Sequence, residues 1–225
     1  MDGELKKADK LDKGTYTADD TTDPDALGEY KVTVSAMDIN GNKSTAEYTV
    51  TVEENSYVAT AVRSGYPYYI RINRALNCVT VYKAGTDGKY SVPFKAFVCS
   101  TGDATPLGTY DTTAKYRWLS LYGGVYGQYA TRIVGAILFH SVPYFTEDPG
   151  DLEYEEYNKL GTAASLGCVR LCVRDVLWIY ENCPVGTTVE FYDDENNPGP
   201  LGKPTPLTID TTSENRGWDP TDPDP

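Results

Sequence analysis

This chain of 225 residues contains one histidine and five cysteines, and two of these six residues stand in surroundings that suit nucleophilic chemistry. A thiol is a useful nucleophile near neutral pH only when its pKa is lowered or a base takes its proton, and imidazole is the usual base. His140 is therefore the only imidazole available. Cys168 lies in Ser165-Leu166-Gly167-Cys168-Val169-Arg170-Leu171. Taken by residue type alone, a cysteine is more often a small buried hydrophobe, and a histidine at a strand end more often structural. The local pattern favours chemistry. Gly167 permits a tight turn that presents the Gly167 and Cys168 amides to a developing oxyanion, and Arg170 can hold a carboxylate through two hydrogen bonds. Val169 and Leu171 alternate with Cys168 and Arg170, as in a short strand with one face in the core and the other in a cleft. An ordinary imidazole partner predicts an acid limb in the rate at about pH 6 to 7.

Three ordered segments resemble the L,D-transpeptidase catalytic domain family, bacterial enzymes that remodel peptidoglycan. They are Phe139-His140-Ser141-Val142-Pro143-Tyr144, the Cys168 heptad, and Ser100-Thr101-Gly102 followed by Thr105-Pro106-Leu107-Gly108-Thr109-Tyr110. The resemblance covers about residues 55 to 195. It departs from the family at Leu166, where many members carry a second histidine, and in a longer interval between His140 and Cys168. The resemblance implies that Cys168 attacks the stem tetrapeptide at the bond between the third-position diamino acid and the terminal D-Ala. By the same resemblance His140 is the base, Ser141 orients the imidazole through its backbone or hydroxyl, and the Gly167 and Cys168 amides stabilise the oxyanion. Arg170 and Ser165 are expected at the substrate, with Tyr122, Tyr126 and Tyr144 lining a sugar-peptide cleft. A neighbouring stem's amine then accepts the acyl group, which cross-links two third residues. A carbapenem is expected to acylate the same thiol. No metal or organic cofactor is implied. The alternatives are an L,D-carboxypeptidase, in which water replaces the amine, and a non-catalytic wall-binding module.

The elements that must position these residues are mostly strands, so the fold class is mainly β. The family resemblance implies a β-sandwich catalytic domain with one or two short helices. Tyr68 to Lys83 and Tyr90 to Ser100 flank the turn Gly85-Thr86-Asp87-Gly88, and Arg132 to His140 reads as one central strand. Val173, Val176, Leu177 and Tyr180 fall at helical spacing before the stop signals Cys183-Pro184 and Gly186, and Thr188 to Tyr192 is a last strand. Cys78 and Cys99 face each other only if Val79 pairs with Val98. Cys172 and Cys183 flank the helix, about 15 Å apart, too far for a bond.

The predicted organisation is a disordered segment or linker over residues 1–13, a partial β module over 14–54 whose hairpin, with its Asp38-to-Asn42 loop, resembles bacterial immunoglobulin-like repeats, the catalytic domain over 55–195 and a proline-rich tail over 196–225. In the module, alternating Tyr30, Val32, Val34 and Ala36 match Tyr48, Val50 and Val52 when Val34 faces Tyr48, which centres the loop on Gly41. Such a module has too few residues for a whole sandwich of about seven strands. The tail holds seven of the 14 prolines and is expected to be extended, either free or lying along the domain, with Trp218 as a surface anchor or an inert end in preference to a binding motif. The acidic stretch from Glu147 to Glu156 is either a solvated loop or a lid whose field attracts an amine.

A net charge of −13 argues against nucleic acid, which requires clustered Lys and Arg. The hydrophobic share of 40% suffices for a core, and no apolar run approaches the ~20 residues of a membrane span. The start Met1-Asp2-Gly3-Glu4 does not read as a signal peptide, so the chain is expected to be an excised piece of an exported protein. The expected protein is a monomer, extracellular and associated with the cell wall, with peptidoglycan stem peptides as its partners.

Overall fold

The computed structural model describes residues 15–20, 28–37, 41–52 and 60–223. The chain divides into two compact units, residues 1–57 and 58–225. In the first unit, β1 (Thr15–Asp20), β2 (Gly28–Met37) and β3 (Lys43–Val52) form an antiparallel sheet in that order. The expected β2–β3 hairpin is present, but Val34 pairs with Ala46 and Val32 with Tyr48, two residues from the predicted register. A shift of two leaves every side chain on its predicted face, so the apolar pattern alone does not distinguish the two registers. Tyr48 and Val50 remain 45% and 37% exposed, and the described residues of this unit supply three strands.

The second unit contains β4 (Tyr68–Asn73), β5 (Cys78–Lys83), β6 (Val92–Val98), β7 (Gly108–Asp111), β8 (Ala114–Ser120), β9 (Tyr126–Val134) and β10 (Ile137–Ser141). A one-turn helix α1 (Tyr154–Tyr157), β11 (Val169–Leu171), helix α2 (Val173–Asn182) and β12 (Thr188–Tyr192) follow. The strands form a five-stranded sheet, β6-β5-β4-β12-β7, and a four-stranded sheet, β11-β10-β9-β8. One buried core draws on both: Ile70, Val81, Phe97 and Phe191 from the first, Ile133, Phe139 and Val169 from the second, with Val176 and Ile179 of α2. The described residues are therefore mainly β with two helices, and α2 and β12 lie where the sequence pattern puts them.

Two expectations are corrected, and the open pairing of Cys78 with Cys99 is decided. The run from Tyr68 to Lys83 is two strands, because Asn77 adopts φ +52 and turns the chain between β4 and β5. The run from Arg132 to His140 is a hairpin whose turn carries Gly135 at φ +55, a conformation that glycine adopts at little cost. Cys78 pairs with Val98, one residue from the register that would set it opposite Cys99, and all five cysteines are free thiols.

The segments outside the sheets are bound into this unit. Asp219 is fully buried, and its Oδ2 accepts the Val173 N–H at 2.8 Å. Cys172, at the N-cap position of α2, supplies no capping side-chain bond. Asp219 thus caps the helix from 46 residues away, satisfying a donor that the first turn cannot. Leu152 N–H donates to Gly217, and Asn158 exchanges two hydrogen bonds with Ile209. The tail is part of this domain, contrary to a boundary at residue 195, because its backbone and Asp219 supply partners the domain lacks.

Candidate active site

The site begins with the pairing of β10 and β11. These strands run parallel, with Phe139 beside Val169 and His140 beside Arg170. Phe139, Val169 and Leu171 enter the core, so alternation sends Leu138, His140, Cys168 and Arg170 to the other face. All four line one cleft of about 380 Å³. The parallel register therefore brings together a histidine and a cysteine 28 positions apart.

His140 is 2% exposed, and its Nδ1 lies 2.6 Å from the Ser141 carbonyl oxygen. A carbonyl can only accept, so the neutral ring carries its proton on Nδ1 and leaves the Nε2 lone pair free. Burial lowers the imidazole pKa to about 4; the Ser141 carbonyl opposes that shift and the Arg170 charge adds to it. Ser141 therefore orients the ring through its backbone. Its hydroxyl accepts the Gln128 N–H and donates to the Val142 carbonyl. Gly127 completes the seat, since a Cβ there would lie 3.0 Å from both Cβ and Nδ1 of His140. Sequence patterning gave no signal for Gly127, because the contact is made across strands.

Cys168 is the one cysteine of the five that is not buried. Its sulfur donates to the Ala136 carbonyl at 3.4 Å. Burial raises the thiol pKa, opposed first by the Leu138 amide and then by the charges of Arg170 and Arg132. A raised thiol and a lowered imidazole make the resting pair neutral near pH 7, not a thiolate–imidazolium ion pair.

The loop before Cys168 is fixed by hydroxyls. Ser165 Oγ accepts the Gly167 N–H at 3.0 Å and donates to the Cys168 carbonyl at 2.6 Å. Thr105 Oγ1 donates to the Gly167 carbonyl at 2.7 Å and accepts the Gly102 N–H at 2.9 Å. Gly102 lies so close to this loop that a Cβ would come within 1.9 Å of the Ser165 carbonyl oxygen. The Ser-Thr-Gly and Thr-Pro segments thus hold the cysteine loop in place. The predicted pair of oxyanion amides is corrected: the Gly167 N–H is already taken by Ser165, while the Cys168 N–H has no partner among the described residues.

The other predicted residues separate. Ser165, Arg170 and Tyr122 line the cleft, Tyr122 from its rim at 89% exposed. Arg170, however, is occupied, since its Nη1 donates to Glu156 at 2.6 Å and to the Ala164 carbonyl at 3.1 Å. It holds the acidic segment down through Nη1, while its Nε is buried without a hydrogen-bond partner. Tyr144 is fully buried, edge-on to Trp118, and Tyr126 pairs with it through the backbone; neither lines the cleft. No carboxylate of the acidic segment reaches the cleft either, so the segment does not cover it as a lid. Arg132 and Leu138 are among the cleft residues that the sequence reading does not name, because an apolar run read as a central strand carries no signal for which of its side chains meet a cleft. Among the described residues no cluster of His, Cys, Asp and Glu could hold a metal ion, and no helix is long and apolar enough to cross a membrane.

Known proteins resemble this chain in sequence and in structure. The Bacillus subtilis (strain 168) protein named "Putative L,D-transpeptidase YciB" is 38% identical over 112 residues, 48% of this chain. The match spans 57% of that protein's length. An L,D-transpeptidase from Mycobacterium smegmatis aligns over 83% of this chain and 85% of its own, at 15% identity and a TM-score of 0.45. The L,D-transpeptidase LdtMt1, solved in complex with imipenem, aligns over 79% and 82% at 14% identity and a TM-score of 0.45. The family model for the YkuD L,D-transpeptidase catalytic domain matches residues 67–191, more than half of the sequence and all of the cleft, and the chain belongs to that family.

Proposed function

We propose that this chain is a cysteine-dependent L,D-transpeptidase that acts on peptidoglycan stem peptides at the cell wall. The observation that carries this reading is the shared cleft face of Cys168 and His140 on adjacent strands, with Nδ1 of the imidazole anchored and Nε2 free.

Catalysis starts from the neutral pair. The thiol leaves the Ala136 carbonyl, Cys168 Sγ attacks the carbonyl carbon of the donor's third residue, and Nε2 takes the thiol proton as the S–C bond forms. The Cys168 amide is positioned for the oxyanion. His140 then gives its proton to the departing D-Ala nitrogen as the C–N bond breaks, leaving a thioester on Cys168. An amine of a second stem attacks the thioester, its proton passes to His140, and the thiol is regenerated as the amide cross-link forms. Because burial disfavours the imidazolium, His140 releases its proton readily in the second half of each step.

Intact-protein mass spectrometry after incubation with a stem tetrapeptide tests this reading. An acyl adduct on Cys168, followed by a cross-linked product when an acceptor stem is added, is the expected result. A hydrolysed tripeptide as the sole product would assign the carboxypeptidase activity instead, and the absence of any adduct would overturn the enzymatic reading.

A further inference from the structure

The cleft is lined by two cations, Arg132 and Arg170, and by no carboxylate. Arg170 is bound to Glu156 and Ala164. Arg132 is placed differently. It stands opposite Leu138 across the β9–β10 pair, and the Leu138 amide faces the Cys168 sulfur, so Arg132, Leu138 and Cys168 form one row across three strands. With strands ~4.8 Å apart, the row spans roughly 10 Å. The Arg132 guanidinium lies 5.7 Å from the Tyr116 ring centroid, and Nη1 donates to the Gly135 carbonyl. Its other nitrogens donate to no group among the described residues, and the side chain is half-buried.

We propose that Arg132 binds a carboxylate of the donor peptide, and that this is the terminal carboxylate of the residue expelled from the scissile bond. The assignment rests on the transpeptidase reading above and adds the group that recognises the donor. In a tetrapeptide that carboxylate lies three bonds beyond the attacked carbonyl, roughly 3.5 Å away, and an arginine stem reaching along the row can meet it. A planar guanidinium with open donors fits a carboxylate through paired hydrogen bonds, and its partial burial strengthens them. Among the residues lining the cleft, Arg132 is the cation not already held by a carboxylate. A donor also carrying a carboxylate on its diamino acid offers the same chemistry from a second place, so the two sources must be separated.

The test compares three tetrapeptides: the free acid, its C-terminal carboxamide, and the free acid amidated on the diamino acid side chain. Binding is measured by calorimetry on the full chain carrying Cys168→Ala, which cannot acylate. The free acid is expected to bind at least ~10-fold more tightly than the carboxamide. Adding Arg132→Gln should remove that difference, and Arg132→Lys should keep part of it, with melting temperatures showing that each variant folds. If the Gln variant does not fold, the Lys variant decides, and an undiminished preference there overturns the assignment. So does a preference that survives Arg132→Gln, equal binding of acid and carboxamide, or a loss confined to the side-chain amide. Intact mass of the wild-type chain with the free acid separates the two levels: a Cys168 adduct without a carboxylate preference defeats this inference alone, and no adduct defeats the reading beneath it.

Discussion

Cys168 and Cys172 sit four residues apart, at opposite ends of β11, and belong to two different regions of the molecule. On the Cys168 side the chain is held from outside the reacting group: Ser165 and Thr105 fix the carbonyls and the Gly167 amide, and the thiol and the Cys168 amide are left to the cleft. On the Cys172 side everything is consumed. Cys172 is 4% exposed, burial pushes its thiol up to about 12, and Asp219 occupies the first amide of α2. One short strand therefore separates a site kept open for a ligand from a joint closed by the chain's own tail. The difference is that hydroxyls brace the first region through its carbonyls, while a buried carboxylate fills the second.

The largest effect that would break this contrast is at the thiols. Cys168→Ala should abolish acylation, read by intact mass with a tetrapeptide or a carbapenem, while Cys172→Ala should still acylate. Adduct formation at any other cysteine would remove the distinction between the two regions. Next in size is His140→Gln, expected to slow acylation at least ~100-fold at pH 7 in stopped-flow or timed mass measurements.

On the closed side, the effects should appear in stability and not in rate. Asp219→Ala is expected to cost about 1–2 kcal/mol in denaturant unfolding, because it uncovers the first amide of α2, while acylation per folded molecule stays near wild type. Asp219→Asn keeps an acceptor and should lose less. Burial also raises the Asp219 pKa, so its protonated form is favoured by folding; that contribution is present at low pH and lost as pH rises through the folded value. The Asn variant should therefore show a weaker decline of stability across the carboxylate range. Cys172→Ala should have the smallest effect, about 1 kcal/mol in the same unfolding experiment, since it removes one buried sulfur.

Sequence patterning reached the two regions unequally. The alternation of Cys168 and Arg170 with Val169 and Leu171 is local, so the cleft face of β11 could be read directly, as could α2 and β12. What could not be read was set by partners distant in the chain. Arg170 looked available until the structure paired it with Glu156, and Gly167 looked like an oxyanion donor until Ser165 took its amide. Arg132 was hidden because the run was read as one strand, while Gly135 folds it into a hairpin that sets Arg132 opposite Leu138 and so beside the Cys168 loop. Asp219 lay in a segment whose prolines suggested an extended tail, and proline content says nothing about a carboxylate that caps a helix 46 residues earlier.

The pH dependence of the acylation rate tests most directly the account of Cys168 and His140 as a neutral pair. With the imidazole lowered to about 4 by burial, the base is unprotonated at every pH well above that value. Protonation removes it only below, so the acid limb belongs near pH 4 instead of the pH 6 to 7 of an ordinary histidine. The rate of wild-type acylation by a stem tetrapeptide should therefore rise through about pH 4 and be nearly flat from pH 6 to 8. A rate that instead climbs about tenfold per pH unit across that interval would mean that only preformed thiolate reacts, and that His140 is not the base.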